Sequence, residues 1–189
     1  MAIPFNKAKH FICDIETLGT NPGSVVTSIG GCILDMNLSD PVNNDTLFNC
    51  NINIIESLAA GFTVDKDTAE WWMDQDEKAY KSELSLKRDY TLKDCINSFY
   101  KYLMYHKVDY FWGNSPDFDF GLLKSYFDYC DIPTPWKFYN TPDVRTIKGL
   151  GLYNEEGAIV DKGLTHHKAV DDAVIESHIL YNTFTTVYK

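Results

Sequence analysis

The chain has no apolar run long enough to cross a bilayer, which takes about 20 consecutive residues. Its first nine residues lack the continuous apolar stretch of a secretory leader. There is no Cys-x-x-Cys pair, and the five cysteines (Cys13, Cys32, Cys50, Cys95 and Cys130) are scattered and odd in number. That pattern argues against both a zinc site and a disulfide framework, so each thiol is expected to be a small buried group in a reducing compartment. Long Gly, Pro or Ser tracts, internal repeats and shifts in composition are missing as well, so nothing marks a linker. Residues 1–189 are expected to form one cytoplasmic domain with a sizeable core.

Positive charge is also in short supply. Lys and Arg total 17 against 27 Asp and Glu, for a net charge of −10. A chain of this sign is poorly suited to neutralising long runs of duplex phosphate. It can still serve a small footprint, such as a strand end or short oligomer held by cations, a few basic groups and base stacking. Acids gathered around a metal count as negative until the cation arrives.

The acids do fall into a pattern. His10-Phe11-Ile12-Cys13-Asp14-Ile15-Glu16-Thr17 reads as a strand, broken afterwards by Gly19, Asn21, Pro22 and Gly23. Alternation along a strand puts Asp14 and Glu16 on one face. Paired carboxylates there repel each other and resist desolvation, and a hard divalent cation relieves both problems. An isolated Asp-x-Glu is otherwise an ordinary solvated strand end, so the pair needs partners. Trp112-Gly113-Asn114-Ser115-Pro116-Asp117-Phe118-Asp119 supplies one set, at a strand-to-helix junction where open α/β sheets place ligands. His167-Lys168-Ala169-Val170-Asp171-Asp172-Ala173 supplies another, at the start of the last amphipathic segment.

In this order, Asp-x-Glu-Thr, Asn…Phe-Asp and His-x-Ala-x-x-Asp resemble the three motifs of the DEDDh 3′→5′ exonucleases, the DnaQ-like and RNase T-like members of the ribonuclease H-like superfamily. The segments Thr63…Thr68-x-x-Trp71-Trp72-x-x-Gln75 and Asp143-Val144-Arg145-Thr146 resemble the small bacterial and phage subgroup related to phage exonuclease A. The resemblance implies an α/β fold with a central mixed five-stranded sheet flanked by helices. It also implies two divalent cations, Mg2+ or Mn2+, held by Asp14, Glu16, Asp119 and Asp172, with Asp14 bridging. About four negative charges would then meet four positive ones. His167 would take the proton from the attacking water, since an imidazole with an ordinary pKa of about 6.5 is often neutral at cellular pH. His166 is a rival, because His166 to Asp171 repeats the spacing of His167 to Asp172; Ala169 favours the second register. Thr17, Leu18, Gly19, Phe118 and Asn114 are the implied contacts to the terminal nucleotide. Trp71 and Trp72 are either core anchors or base-stacking residues, and Asp143 and Arg145 either support the site, contact phosphate or form a surface ion pair. The resemblance also makes a homodimer the expected state.

Strands are expected at Ser24–Leu34, Leu47–Ile54, Val108–Trp112 and Lys137–Asn140, with a turn-rich loop over Asp40–Asp45. Helices are expected from an Asp67 N-cap with Glu70 three residues on, over Thr91–His106 and Asp117–Cys130, from a Thr141 cap, and over Lys168–Val187. The expected reaction is metal-dependent removal of nucleoside monophosphates from the 3′ end of single-stranded nucleic acid, with RNA slightly favoured over DNA. A dinucleotide phosphodiesterase fits the charge too. A catalytically idle nucleic-acid-binding domain fits poorly, because all four acids and the histidine are present.

Overall fold

The structure is a computed structural model that describes residues 3–39, 41–75, 81, 84, 90–151, 163–164 and 166–188. Strands β1 (Lys9–Thr17), β2 (Val26–Asp35), β3 (Val42–Asn51) and β4 (Tyr110–Trp112) form a sheet in the order β3-β2-β1-β4. The first three make an antiparallel meander, and β4 lies parallel to β1. The helices are α1 (Ile54–Ala59), α2 (Lys66–Met73), α3 (Leu92–His106), α4 (Pro116–Tyr129), α5 (Val144–Gly149) and α6 (Ala169–Val187).

Alternation along β1 divides the core in two. Phe11, Cys13 and Ile15 face a cluster completed by Phe99 of α3 and by Leu123 and Phe127 of α4. Ile12 faces the opposite cluster, with Trp112 and with Ala173, Leu180 and Phe184 of α6. Asp14 and Glu16 share the parity of Ile12, so period-two geometry sends both toward α6. At the start of β1, His10 is fully buried; its Nε2 lies 2.8 Å from the Phe5 carbonyl and its Nδ1 accepts from Trp112 Nε1 at 2.9 Å. Burial pushes this imidazole down to about 4.

Four details depart from the sequence reading. The mixed sheet has its fifth position next to β4, but Lys137–Asn140 does not fill it as a strand. Asn140 closes a turn there by accepting from Lys137 N (2.7 Å) through its side chain and donating to the Lys137 carbonyl (3.0 Å). Pairing with β4 begins only at Asn140, which accepts from Phe111 N, and ends in a single parallel bridge between Gly113 and Asp143. Second, β3 starts at Val42, where a loop was expected, because pairing with β2 (Leu34 opposite Val42) overrides the turn preference of Asn43–Asp45. Third, the caps move: α2 is capped by Asp65, which accepts from Asp67 N and Thr68 N, and α5 by Asp143. Fourth, Cys50 of β3 and Cys95 of α3 form a disulfide, with Cα atoms 6.0 Å apart. Packing of α3 on β3 joins two thiols that lie 45 residues apart, a distance that gives no local signal. Cys13 and Cys32 are free and buried, and Cys130 is half-buried.

Candidate active site

A cavity of about 250 Å3 opens where β1, β4 and α6 meet, lined by Asp14, Glu16, Asn114, Lys148, His166, His167, Asp172 and Glu176 among others. Asp14 sits opposite Gly30 in the β1–β2 register, and this glycine is what lets α6 approach. A Cβ on Gly30 would lie 2.1 Å from the backbone of Ala169 and Val170, so only a residue without one allows the start of α6 to rest on the sheet. Asp172, in the first turn of α6, is thereby brought to the β1 acids.

Asp119 comes from α4 and does not itself line the cavity, although its charge acts on Asp14. Pro116 opens α4 with its φ preset and no N–H to satisfy. Ser115 just before it has φ +98°, a left-handed conformation uncommon outside glycine, and its amide is held by Asp143 Oδ1 at 3.1 Å. Asp119 in the first turn is 2% exposed, and a Cβ on Gly113 would come within 2.4 Å of its Oδ2. That oxygen, like Asn114 Oδ1, is buried without a hydrogen-bond partner among the described residues. A buried acceptor with nothing to accept is costly unless a cation or solvent meets it.

Electrostatics report the same convergence. Burial, then Glu16, Asp119, Glu176 and Asp172, hold the Asp14 carboxyl well above the usual carboxylate range. Burial and Glu176 do the same to Asp119, against a smaller downward pull from Arg145. Asp172 is also raised by burial, in spite of bonds from His166 Nδ1 (3.1 Å) and the His167 amide (2.8 Å). His167 adopts φ +60°, the second strained non-glycine at the site. A ring nitrogen of His167 and carboxylate oxygens of Glu16 and Asp172 all lie within 4.8 Å of one another. The four acids, the histidine and the orphaned Asp119 oxygen therefore fit hard divalent cations.

The two tryptophans differ in burial. Trp72 is 1% exposed and donates to the Thr17 carbonyl at 2.8 Å, pinning α2 to the end of β1. Trp71 is 43% exposed and packs edge-to-face on the His167 ring, with centroids 5.1 Å apart. Among the implied nucleotide contacts, Asn114 lines the cavity. Thr17, Leu18, Gly19 and Phe118 do not: the Thr17 hydroxyl is spent on the Gly19 carbonyl at 2.8 Å, and Leu18 and Phe118 pack with the first core cluster. Asp143 and Arg145 are not a surface ion pair. Asp143 caps α5, and although burial raises it, bonds from Thr146, Arg145 and Ser115 leave it below the usual carboxylate range; Arg145 donates to the Asn114 carbonyl at 3.4 Å. Sequence reading missed Lys148 and Glu176. Glu176 lies one helical turn after Asp172, and this i,i+4 spacing was the available signal. Lys148 had none.

Known proteins share this fold. The structure resembles the crystal structure of cell-death related nuclease 4 (CRN-4), with a TM-score of 0.65 and 15% identity over 95% of this chain and 64% of that one, just under two thirds of its length. It also resembles the nuclease domain of 3′hExo, a DEDDh family member bound to rAMP, with a TM-score of 0.57 and 9% identity over 96% of this chain and 93% of that one. At these identities the likeness concerns the fold. In sequence, the chain is 27% identical over 157 residues to the exodeoxyribonuclease of Enterobacteria phage T4, covering 72% of this chain and 69% of the relative. The family model described as the 3′-5′ exoribonuclease Rv2179c-like domain matches residues 9–184, a span that contains all four acids and His167. The chain belongs to this family of Rv2179c-like 3′-5′ exoribonuclease domains.

Proposed function

We propose that the protein removes nucleoside monophosphates from the 3′ end of single-stranded RNA, with Asp14, Glu16, Asp119 and Asp172 as metal ligands and His167 as general base. The observation that carries this reading is the meeting of Asp14, Glu16, Asp172 and His167 around one small cavity, beside Asp119, whose charge acts on Asp14 and whose buried oxygen has no partner among the described residues. Two divalent cations, Mg2+ or Mn2+, would be held by these acids, supplying an acidified water and neutralising charge on the departing oxygen.

The chain's own residues do the rest. His167, set between Glu16 and Asp172 and braced by Trp71, accepts the proton of the attacking water on a ring nitrogen. His166 is engaged with Asp172 Oδ1 and does not join the group formed by Glu16, His167 and Asp172, which favours His167 as the base. Asn114 lines the cavity that the terminal nucleotide enters. The cavity is sized for a terminal residue and not for a duplex, in keeping with the net charge of −10.

DNA is the second reading, because the phage relative is an exodeoxyribonuclease. The test uses purified protein, Mn2+ and 5′-labelled RNA and DNA single strands of one sequence, beside an Asp14→Ala control. A ladder shortening from the 3′ end, faster on RNA and absent in the control, is the expected result. Faster shortening of DNA selects the second reading. No metal-dependent product on either strand rejects both.

A further inference from the structure

We propose that Lys148, anchored by Glu176, is the protein's own contact to the phosphate of the terminal nucleotide; the assignment rests on the exonuclease reading above. Lys148 Nζ lies 3.4 Å from Glu176 Oε1, and both side chains line the cavity that holds Asp14, Glu16, Asn114 and Asp172. Lys148 sits in the last turn of α5, which packs on α6; Glu176 is 3% exposed and leaves α6 on the same side as Asp172. Among the described residues that line the cavity, Lys148 alone carries a fixed positive charge.

Charge balance gives the lysine a reason to be there. Glu176 adds a fifth carboxylate to the four acids, one more than two divalent cations can neutralise. A buried carboxylate without a counter-charge is costly, and Lys148 supplies one. The pair has a second consequence. An ammonium carries three N–H donors, so it can hold a carboxylate and a phosphate together. Glu176 fixes the direction of an otherwise flexible four-carbon stem, so the ammonium is already aimed into the cavity when a phosphate arrives. Cavity walls that are otherwise acidic repel a phosphodiester before the cations engage it, and a preset lysine lowers that barrier to binding. Lys148 is therefore expected to act on binding of the strand, and Glu176 to act through Lys148 as a positioning residue.

The experiment measures kcat and KM on a 5′-labelled single-stranded oligonucleotide at several salt concentrations, for wild type, Lys148→Met, Lys148→Arg and Glu176→Gln, with Mn2+ affinity and melting curves recorded for each. Lys148→Met is expected to raise KM about tenfold with kcat within about threefold of wild type. It should also lower the slope of log KM against log salt by about 0.7, the signature of one fewer phosphate neutralised on a single strand. Lys148→Arg should keep the slope, and Glu176→Gln should raise KM by a smaller factor with Mn2+ affinity intact. An unchanged KM and slope in a folded Lys148→Met, beside an active wild type, would overturn the proposal. So would a fall in kcat alone, which makes the lysine a mere counter-charge, or a loss of Mn2+ affinity in Glu176→Gln, which makes that residue a metal ligand. Should Lys148→Met not fold, the double change with Glu176→Gln removes both charges and carries the same comparison. A wild type inactive on every strand rejects the exonuclease function itself, an outcome distinct from all of these.

Discussion

Two adjacent histidines in this site differ in what they face, and that difference is testable at single residues. His167 has a ring nitrogen near Glu16 and Asp172 and an edge-to-face tryptophan behind it, whereas His166 bonds Asp172. His167→Ala is expected to lower kcat by about 100- to 10,000-fold, the usual cost of losing a general base, while leaving Mn2+ affinity within a few-fold. His166→Ala is expected to cost less than about tenfold. Single-turnover rates and Mn2+ titration of both variants check this, and the reverse ranking would move the base to His166. At this scale the sequence was informative wherever chemistry demands a residue type at a fixed spacing. Asp14 and Glu16 were legible as a one-faced pair because a strand alternates, and Asp119 and Asp172 through the resemblance of their motifs. Leu18 and Phe118 were not, since an apolar side chain beside a motif fits core packing and base contact equally well, and only the fold shows that both join the core.

At the level of elements, the acids meet because α6 rests directly on β2. Gly30 permits that seating, and the clash of a Cβ there would be with backbone atoms of Ala169 and Val170, which cannot swing aside as a side chain can. Gly30→Ala is expected to destabilise the protein by about 1–3 kcal/mol, as overpacking does. It should also lower kcat at least tenfold, because Asp172 and His167 ride on the displaced start of the helix. A melting curve and a rate measured on one sample distinguish this from a surface change; an unaltered rate would mean that α6 is seated by other contacts. The sequence showed the glycines of β2 as a bulge or a close approach, without naming the partner. It showed the amphipathic stripes of α3 and α6 clearly, since their period is intrinsic to the helix. It placed β3 and the fifth sheet position badly for the opposite reason. Pairing partners distant in sequence decide whether Val42–Asn51 is extended, and a side-chain bond from Asn140 turns the chain before it can pair. The Cys50–Cys95 link was hidden in the same way, since its 45-residue separation closes only once α3 lies on β3.

For the molecule as a whole, pH acts on stability from two sides. His10, caged among Phe5, Tyr110, Trp112 and Phe184, binds a proton more weakly when folded, with its pKa pushed down to about 4. Its contribution is whole above the unfolded value of about 6.5 and is lost as pH falls toward 4, by about 3 kcal/mol at most. Glutamine can reproduce the donor and the acceptor, so His10→Gln is expected to flatten the decline in melting temperature between pH 6.5 and 4; an identical decline in both proteins would assign it to other groups. The buried acids act in the other direction. Asp14 and Asp119 hold their protons more tightly in the folded chain without metal, so stability present below the ordinary carboxylate range is lost as pH rises through their elevated values. Near neutral pH the metal-free protein therefore carries a strained cluster that cations relieve, and Mn2+ at a hundred times its dissociation constant should stabilise it by about 2.7 kcal/mol. Asp119→Asn removes one of the buried charges at constant shape. It is expected to raise the melting temperature of the metal-free protein by a few degrees, to shrink the Mn2+ effect, and to abolish nuclease activity. If the variant instead melts lower without metal, burial of Asp119 is already compensated within the protein, and the cluster is not held in readiness for cations.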